Sequence, residues 1–296
     1  MKLTVLLAAA LLSACAATPR RSAADAALDA LVEEYFEQQL ALSPMNATAI
    51  GDSRFDDRLD ESTSPGFREK SLAIERAYLD RVRKIDAAQL SGSRRISYEI
   101  FVGEREQALA GTPFHEEYMP FNQMSGLPMD LVVYGSGEGP QPFATVADYE
   151  RFLERVGEFP RWADGAIALM RAGMAQGITL PRPAVVKMIP QLREIVTATP
   201  QQSIFWAPIG SMPKDFPAAD ARRLTDAWAA MLRDRVLPAY ARLADFLERD
   251  YLPAARSTVG WSDLPDGAAW YRWRIRGATT MDMSPEEIHR IGLGEV

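Results

Sequence analysis

From Ala23 onward the apolar residues recur at helical spacing. Leu28, Leu31, Val32, Tyr35, Phe36 and Leu40 share one stripe, with Asp29, Glu33, Glu34 and Glu37 opposite, which predicts an amphipathic helix. Ser43-Pro44 ends it, because the residue before a proline avoids the α region. Leu42 to Asp60 reads as a polar loop. Two more amphipathic segments, Phe67 to Ile85 and Ser93 to Leu109, are split by Ser91-Gly92-Ser93. Gly111 to Gln141 is the least regular stretch, with a short apolar run at Leu131 to Tyr134. Thr145 reads as an N-cap with Asp148 in the first turn of a helix carrying Tyr149, Phe152, Leu153 and Val156. Pro160 should kink or break that helix, and Gly177 is its expected stop. Pro183 to Thr197 is a further helix with Pro190 inside. Pro217 to Tyr251 is the longest helical pattern, bearing Leu224, Trp228, Leu232, Val236, Tyr240 and Leu247, with a bend expected at Pro238. Ser284-Pro285-Glu286-Glu287 spells a capping box that opens a last helix, with Ile288, Ile291 and Leu293 as the expected inward residues. The chain stops at Val296 inside that helix, as though the helix were cut in the middle. No internal repeat and no run of alternating strands interrupts this pattern. The fold class is mainly α.

The first residues follow a different rule. Met1-Lys2 is a short positive region, Leu3 to Leu12 an apolar run too short to span a bilayer of roughly 30 Å, and Ser13-Ala14-Cys15 follows. This is a secretory signal, and Leu12-Ser13-Ala14-Cys15 looks like a lipobox, in which Cys15 receives a diacylglycerol and becomes the mature N-terminus. Ala16, rather than Asp, after the Cys resembles lipoproteins sent on to the outer membrane, where this one would face the periplasm. The expected organisation is a signal peptide at 1–14, a lipid-anchored tether at 15–22 and a helical domain at 23–296.

Composition narrows the chemistry. The chain has 296 residues, 47% apolar and 25% charged, as expected of a globular protein. A net charge of −7 gives no basic face for a nucleic acid, so no nucleic-acid partner is expected. Two histidines and one cysteine leave little for a metal site. His115-Glu116 lacks the second histidine one turn on that a zinc-protease helix needs, since position 119 is Met. Gly135-Ser136-Gly137-Glu138-Gly139 follows an apolar run, as a dinucleotide loop would. Its third Gly is one position early, and Pro140 and Pro142 stand where a helix should begin, so a flexible loop is the better reading. Arg272, Arg274 and Arg276 alternate with Trp273 and Ile275. Alternation is the strand period, so one face would be rich in guanidinium, either solvated or recognising carboxylates.

Several segments together resemble the bacterial domain-of-unknown-function family numbered 885. They are Leu264-Pro265-Asp266-Gly267, Trp270-Tyr271, Thr279-Thr280 and the block from Ser284 to Val296, which is the most specific. Met119-Pro120-Phe121-Asn122-Gln123 with Gly126, Tyr149 to Leu153, and Gly177 to Arg182 agree. The resemblance covers about Leu28 to Val296. It implies an exported, largely helical lipoprotein grouped with zinc metallopeptidases and roughly twice as long, so that this chain is the N-terminal portion of a larger zinc-peptidase-like helical fold. The family's metal segment would lie downstream, so no catalytic or metal-binding residue is expected here, and zinc only with the C-terminal half. In that reading this chain lends one wall of a cleft for a peptide substrate, with Asn122, Gln123, Tyr271 and Arg274 as candidate substrate-binding residues. The alternative is a non-catalytic helical binding or scaffold lipoprotein of the cell envelope. Either way the membrane is met through Cys15.

Overall fold

The computed structural model describes residues 22–296, so the signal segment, Cys15 and all of the tether except Ser22 lie outside the described residues. The described residues are helical with no named strand, and one isolated parallel bridge joins Pro181 and Arg256. No helix among them is long and apolar enough to cross a membrane.

The first layer is built by α1 (Ala23–Leu42), α3 (Phe67–Val82) and α4 (Gly92–Ala110) around Leu28, Leu31, Tyr78, Leu79, Val82 and Phe101. A capping box starts α1: the Ser22 hydroxyl accepts the Asp25 N–H at 2.9 Å, and the Asp25 carboxylate accepts the Ser22 N–H. Pro44 ends α1 as the sequence requires, but it also opens α2 (Pro44–Ala49), a short helix within the stretch expected to be loop. Proline at the first helical turn sacrifices no hydrogen bond. Within this layer Arg105 is 6% exposed and lies against the rings of Tyr35 and Phe101, at 4.1 and 4.4 Å from their centroids. Its Nε donates to Glu75 at 2.6 Å, and the other Glu75 oxygen accepts the Tyr35 hydroxyl at 2.7 Å.

The larger layer contains α5 (Leu127–Gly135), α6 (Val146–Gly157), α7 (Phe159–Ala175), α8 (Arg182–Ile195), the single turn α9 (Ala207–Gly210), α10 (Ala218–Met231), α11 (Leu237–Phe246) and α12 (Leu252–Ala254). Its core includes Leu131, Tyr149, Phe152, Phe159, Trp228 and Tyr240, all 1% exposed or less. α5 corrects the reading of Gly111 to Gln141 as irregular. The apolar run Leu131 to Tyr134 is helical, and Leu131 and Tyr134 are its buried residues. A four-residue apolar run has no readable period, so only its packing decides. Pro160 breaks the chain between α6 and α7 and sits in the first turn of α7. Gly177, at φ +73°, ends α7, and the Ile178 N–H returns to the Gly173 carbonyl at 2.8 Å. From α10 to α12 the path is continuous, with π-helical turns at Leu232–Val236 and Leu247–Tyr251, just before Pro238 and Pro253. A proline removes a hydrogen bond and presses on the carbonyl one turn back, and a widened turn moves that carbonyl aside.

Arg155 on α6 ties α2 to this layer. It is fully buried, and it donates to the carbonyls of Arg58 at 2.8 Å and Phe55 at 2.6 Å, to the Thr48 hydroxyl at 2.7 Å and to the Gln141 side-chain oxygen. Thr48, on α2, donates in turn to buried Asp56 at 2.6 Å. Burial pushes the Asp60 carboxyl up, against the opposing pull of the Met45 N–H and Arg155. A carboxyl raised in the folded state binds its proton more tightly there than in the unfolded chain. Its contribution therefore falls as pH climbs from about 3.9, the unfolded value, through the folded one. Asp60→Asn should lack this fall. The ratio of variant to native stability, from urea unfolding, is expected to be higher at pH 7 than at pH 4, and an identical ratio at both would contradict it.

A third cluster, Ile178, Leu264 and Trp270 with Phe114, Trp261 and Trp273 around it, joins the two layers. It carries α13 (Gly267–Thr279), which lies on α4 through a reciprocal pair: Trp273 Nε1 donates to the Gln107 carbonyl at 2.8 Å, and Gln107 Nε2 to the Trp273 carbonyl at 2.7 Å. The strand expected from the alternating arginines is corrected here to helix. Trp270 and Trp273 are three residues apart, and that spacing, not the period of two, matches the buried side. Arg272 and Arg274 consequently point to different sides, while Arg272 and Arg276, four residues apart, share one, so the three do not form the single face that a strand would give. The capping box at Ser284 forms as spelled and opens α14 (Pro285–Glu295), but α14 has no buried residue. The inward assignment of its apolar residues is therefore corrected: Ile291 is 55% and Leu293 66% exposed, and Ile288 is half-buried.

Candidate functional site

Three of the four residues proposed from the sequence meet at one groove. Asn122, Gln123 and Arg274 line a depression of about 520 Å³ between the loop before α5, the start of α8 and α13. Tyr271, one turn earlier on α13, is 40% exposed and stands outside it.

The loop wall is held from within. The Asn122 carboxamide oxygen accepts the N–H groups of Met124 at 2.8 Å and Ser125 at 3.1 Å, and the Asn122 N–H returns to the Ser125 carbonyl. Its side chain is thus engaged in ordering the loop it sits on, as asparagine does in tight turns. Gln191 of α8 donates to the Gln123 carbonyl at 3.2 Å and fastens the loop to that helix. Gly126 closes the turn at φ +122°, and a Cβ there would lie 2.5 Å from the Phe121 Cβ. Both the backbone angle and the space demand glycine. Gly126→Ala is expected to destabilise the fold by about 1–3 kcal/mol and to loosen the groove wall. Thermal unfolding measures the first effect and protease cutting near Met124 the second; a native melting point would refute both.

The opposite wall is Leu180, Pro181 and Ala184, continued by Val259 and Trp261. Leu180 is fixed from behind, its N–H donating to the Tyr251 hydroxyl at 2.8 Å, and burial raises that phenol to about 12. Arg256 holds the wall together. Its guanidinium donates to the carbonyls of Thr179 at 2.9 Å, Thr258 at 3.0 Å and Gly260 at 2.7 Å, while burial lowers its pKa. Sequence reasoning missed Arg256, because its partners are backbone oxygens that only the folded chain brings together. It also missed Glu116, which pairs with Arg274 at the groove edge. The Arg274 guanidinium stands 4.9 Å from the centroid of the Trp261 ring.

The groove thus combines apolar walls with two amide side chains and an arginine paired with Glu116. His115 contacts Glu117 at 2.7 Å through Nδ1 and stacks on Tyr118, and His289 is exposed on α14. Among the described residues no group of three or more His, Cys, Asp or Glu could hold a metal ion, so the residues present do not fit a zinc centre.

Comparison with known proteins places this geometry. A candidate lipoprotein from Colwellia psychrerythraea, solved by crystallography, is similar over 93% of this chain with a TM-score of 0.79 and 20% identity. That likeness is one of fold. This chain spans about half of that protein, 49% of its length. No protein of curated function matches the sequence. Residues 44–296 match the model of the family described as bacterial protein of unknown function, DUF885. That match takes in the groove and all but the first of the long helices, and the chain belongs to the DUF885 family.

Proposed function

We propose that this chain is the N-terminal half of a lipid-anchored, peptidase-like protein of the cell envelope, and that its groove forms one wall of a peptide-binding cleft. The observation that carries the reading is α14, whose Ile291 and Leu293 are exposed in a chain that covers half of its structural neighbour. No residue of α14 is buried, and a helix that buries nothing within its own chain is ordinarily packed against a partner surface in the native protein. The name of the Colwellia psychrerythraea protein agrees with anchoring, and the lipobox at Cys15 gives the anchor a chemical basis. The proposed organisation is a signal peptide at 1–14, a tether at 15–22 and the helical portion from 23 onward, exported and held at the periplasmic side of the outer membrane. In this reading Gln123 and Arg274 touch the peptide and Asn122 shapes the loop that meets it. In this reading the hydrolytic centre belongs to the other half, and no reaction step is assigned to this chain.

Two measurements test the proposal. Metal analysis and peptide-hydrolysis assays of the purified 296-residue protein should show no stoichiometric zinc and no turnover; one tightly held zinc would overturn the assignment. Reading the coding DNA past the Val296 codon tests the half-length part. A continuing frame with a His-Glu metal segment supports it. An immediate stop, with no such segment in any frame, leaves the scaffold lipoprotein as the function.

A further inference from the structure

α4 carries an apolar patch at the end of the molecule from which the tether leaves. Ile96 is 60% and Ile100 56% exposed, one helical turn apart and therefore on the same side. The start of α4 is pinned to the start of α1: Asp25 accepts both the N–H of Ser91 at 2.9 Å and its hydroxyl at 3.2 Å, and Arg94 pairs with Asp29 at 3.2 Å. Ser22, the residue that caps α1, is thus in the same corner as the first turn of α4.

The length of chain between that corner and Cys15 limits where the patch can be. Seven peptide units separate Cys15 from Ser22, and even fully extended they reach no more than about 25 Å. Ile96 lies five residues beyond Ser91, about 7.5 Å along the helix axis, and Ile100 about 13.5 Å. Both are closer to the tether's exit than the tether is long. The charges nearby suit an anionic surface. Arg20 and Arg21 precede Ser22 in the tether, and Lys84 is exposed on the turn that follows α3. The carboxylates beside them are already engaged, Glu99 with Arg95, Asp29 with Arg94, and Asp86 with the N–H of Ala88 and the Gln89 amide.

Resting on the reading that Cys15 is lipidated, we propose that the outer flank of α4, through Ile96 and Ile100, lies on the bilayer that holds the anchor, with the neighbouring cations meeting anionic headgroups. The occupant of this patch is the membrane surface, which gives the protein a fixed orientation. Exposed apolar side chains flanked by cations are the usual make-up of a helix lying at such an interface.

The single native cysteine makes the test direct, because the lipid occupies it. Ile96→Cys, Ile100→Cys and, on α8, Val186→Cys (native Val186 is 47% exposed) each offer one free thiol for an environment-sensitive fluorophore. The lipidated proteins are placed in vesicles of phosphatidylethanolamine and phosphatidylglycerol that contain a nitroxide-bearing lipid. Quenching is expected to be several-fold stronger at 96 and 100 than at 186, and to weaken when phosphatidylglycerol is omitted. Equal quenching at the three positions, or none at 96 and 100, overturns the proposal. The mass of the N-terminal peptide, measured on the same samples, separates the two readings. With the diacylglyceryl mass present, absent quenching defeats only this orientation; an unmodified Cys15 defeats the anchor and this surface together.

Discussion

Arg155→Ala is expected to lower the unfolding free energy by about 3–5 kcal/mol, because it removes a donor group that serves several buried oxygens at once. Arg155 is fully buried, and the carbonyls of Phe55 and Arg58, the Thr48 hydroxyl and the Gln141 amide oxygen all face it. Without it these acceptors stay away from water with too few partners, and Asp56, 1% exposed, loses the positive charge of Arg155 that acts on it. For a domain of this size the loss corresponds to a fall in melting temperature on the order of 10 °C. Arg155→Lys should recover only a small part, since an ammonium is a point charge that cannot span acceptors held in a fork. Arg155→Met tests the alternative that the site needs only volume. If it melted like the native protein, the oxygens would have no need of a donor. The damage should be local as well as global. The α2 region hangs on this side chain, so hydrogen exchange at Ala47 and Thr48 should accelerate before the rest of the fold opens.

Cys15→Ser is expected to move the protein from the membrane fraction to the soluble extract almost completely. Burial of acyl chains contributes about 0.8 kcal/mol per methylene, and more than one chain is needed for a lasting anchor. With the thiol gone there is no acceptor for the diacylglycerol, and no helix among the described residues can substitute by crossing the bilayer. Labelled palmitate should enter the native protein and not the variant, and the native N-terminal peptide should carry the corresponding mass. A variant that stays with the membrane at native levels, without lipid in the native protein, would remove the anchoring proposal.

These expectations draw on different kinds of information. The N-cap at Thr145, the capping box at Ser284 and the stop at Gly177 were legible because each is local. A hydroxyl, a carboxylate and a glycine act on backbone groups within one turn, so their spacing in the sequence is their spacing in space. The break at Pro160 was legible for the same reason. α5 was not, because a short apolar run after Gly126 fits helix, strand or loop until Leu131 and Tyr134 find the core. α13 misled because Trp and Arg alternate over five residues, too short a window to separate a period of 2 from one of 3.6 when one side packs on α4. Of the candidate site residues, Asn122, Gln123 and Arg274 share a groove, although they are some 150 positions apart in the chain. Tyr271, only three positions from Arg274, does not join them.

The sequence by itself determined the helical class, most helix ends, the absence of a zinc-protease helix motif at His115 and the family to which the chain belongs. Those properties depend on neighbours within a few residues, or on a pattern of residue types. Only the tertiary structure decided that Arg155 and Arg256 are the bolts of the fold, that the loop at Asn122 faces α13, and that α14 and the flank of α4 stand uncovered. Each of these depends on which distant segments share a surface, and that is settled by the simultaneous packing of the whole core and not by any local run of residues.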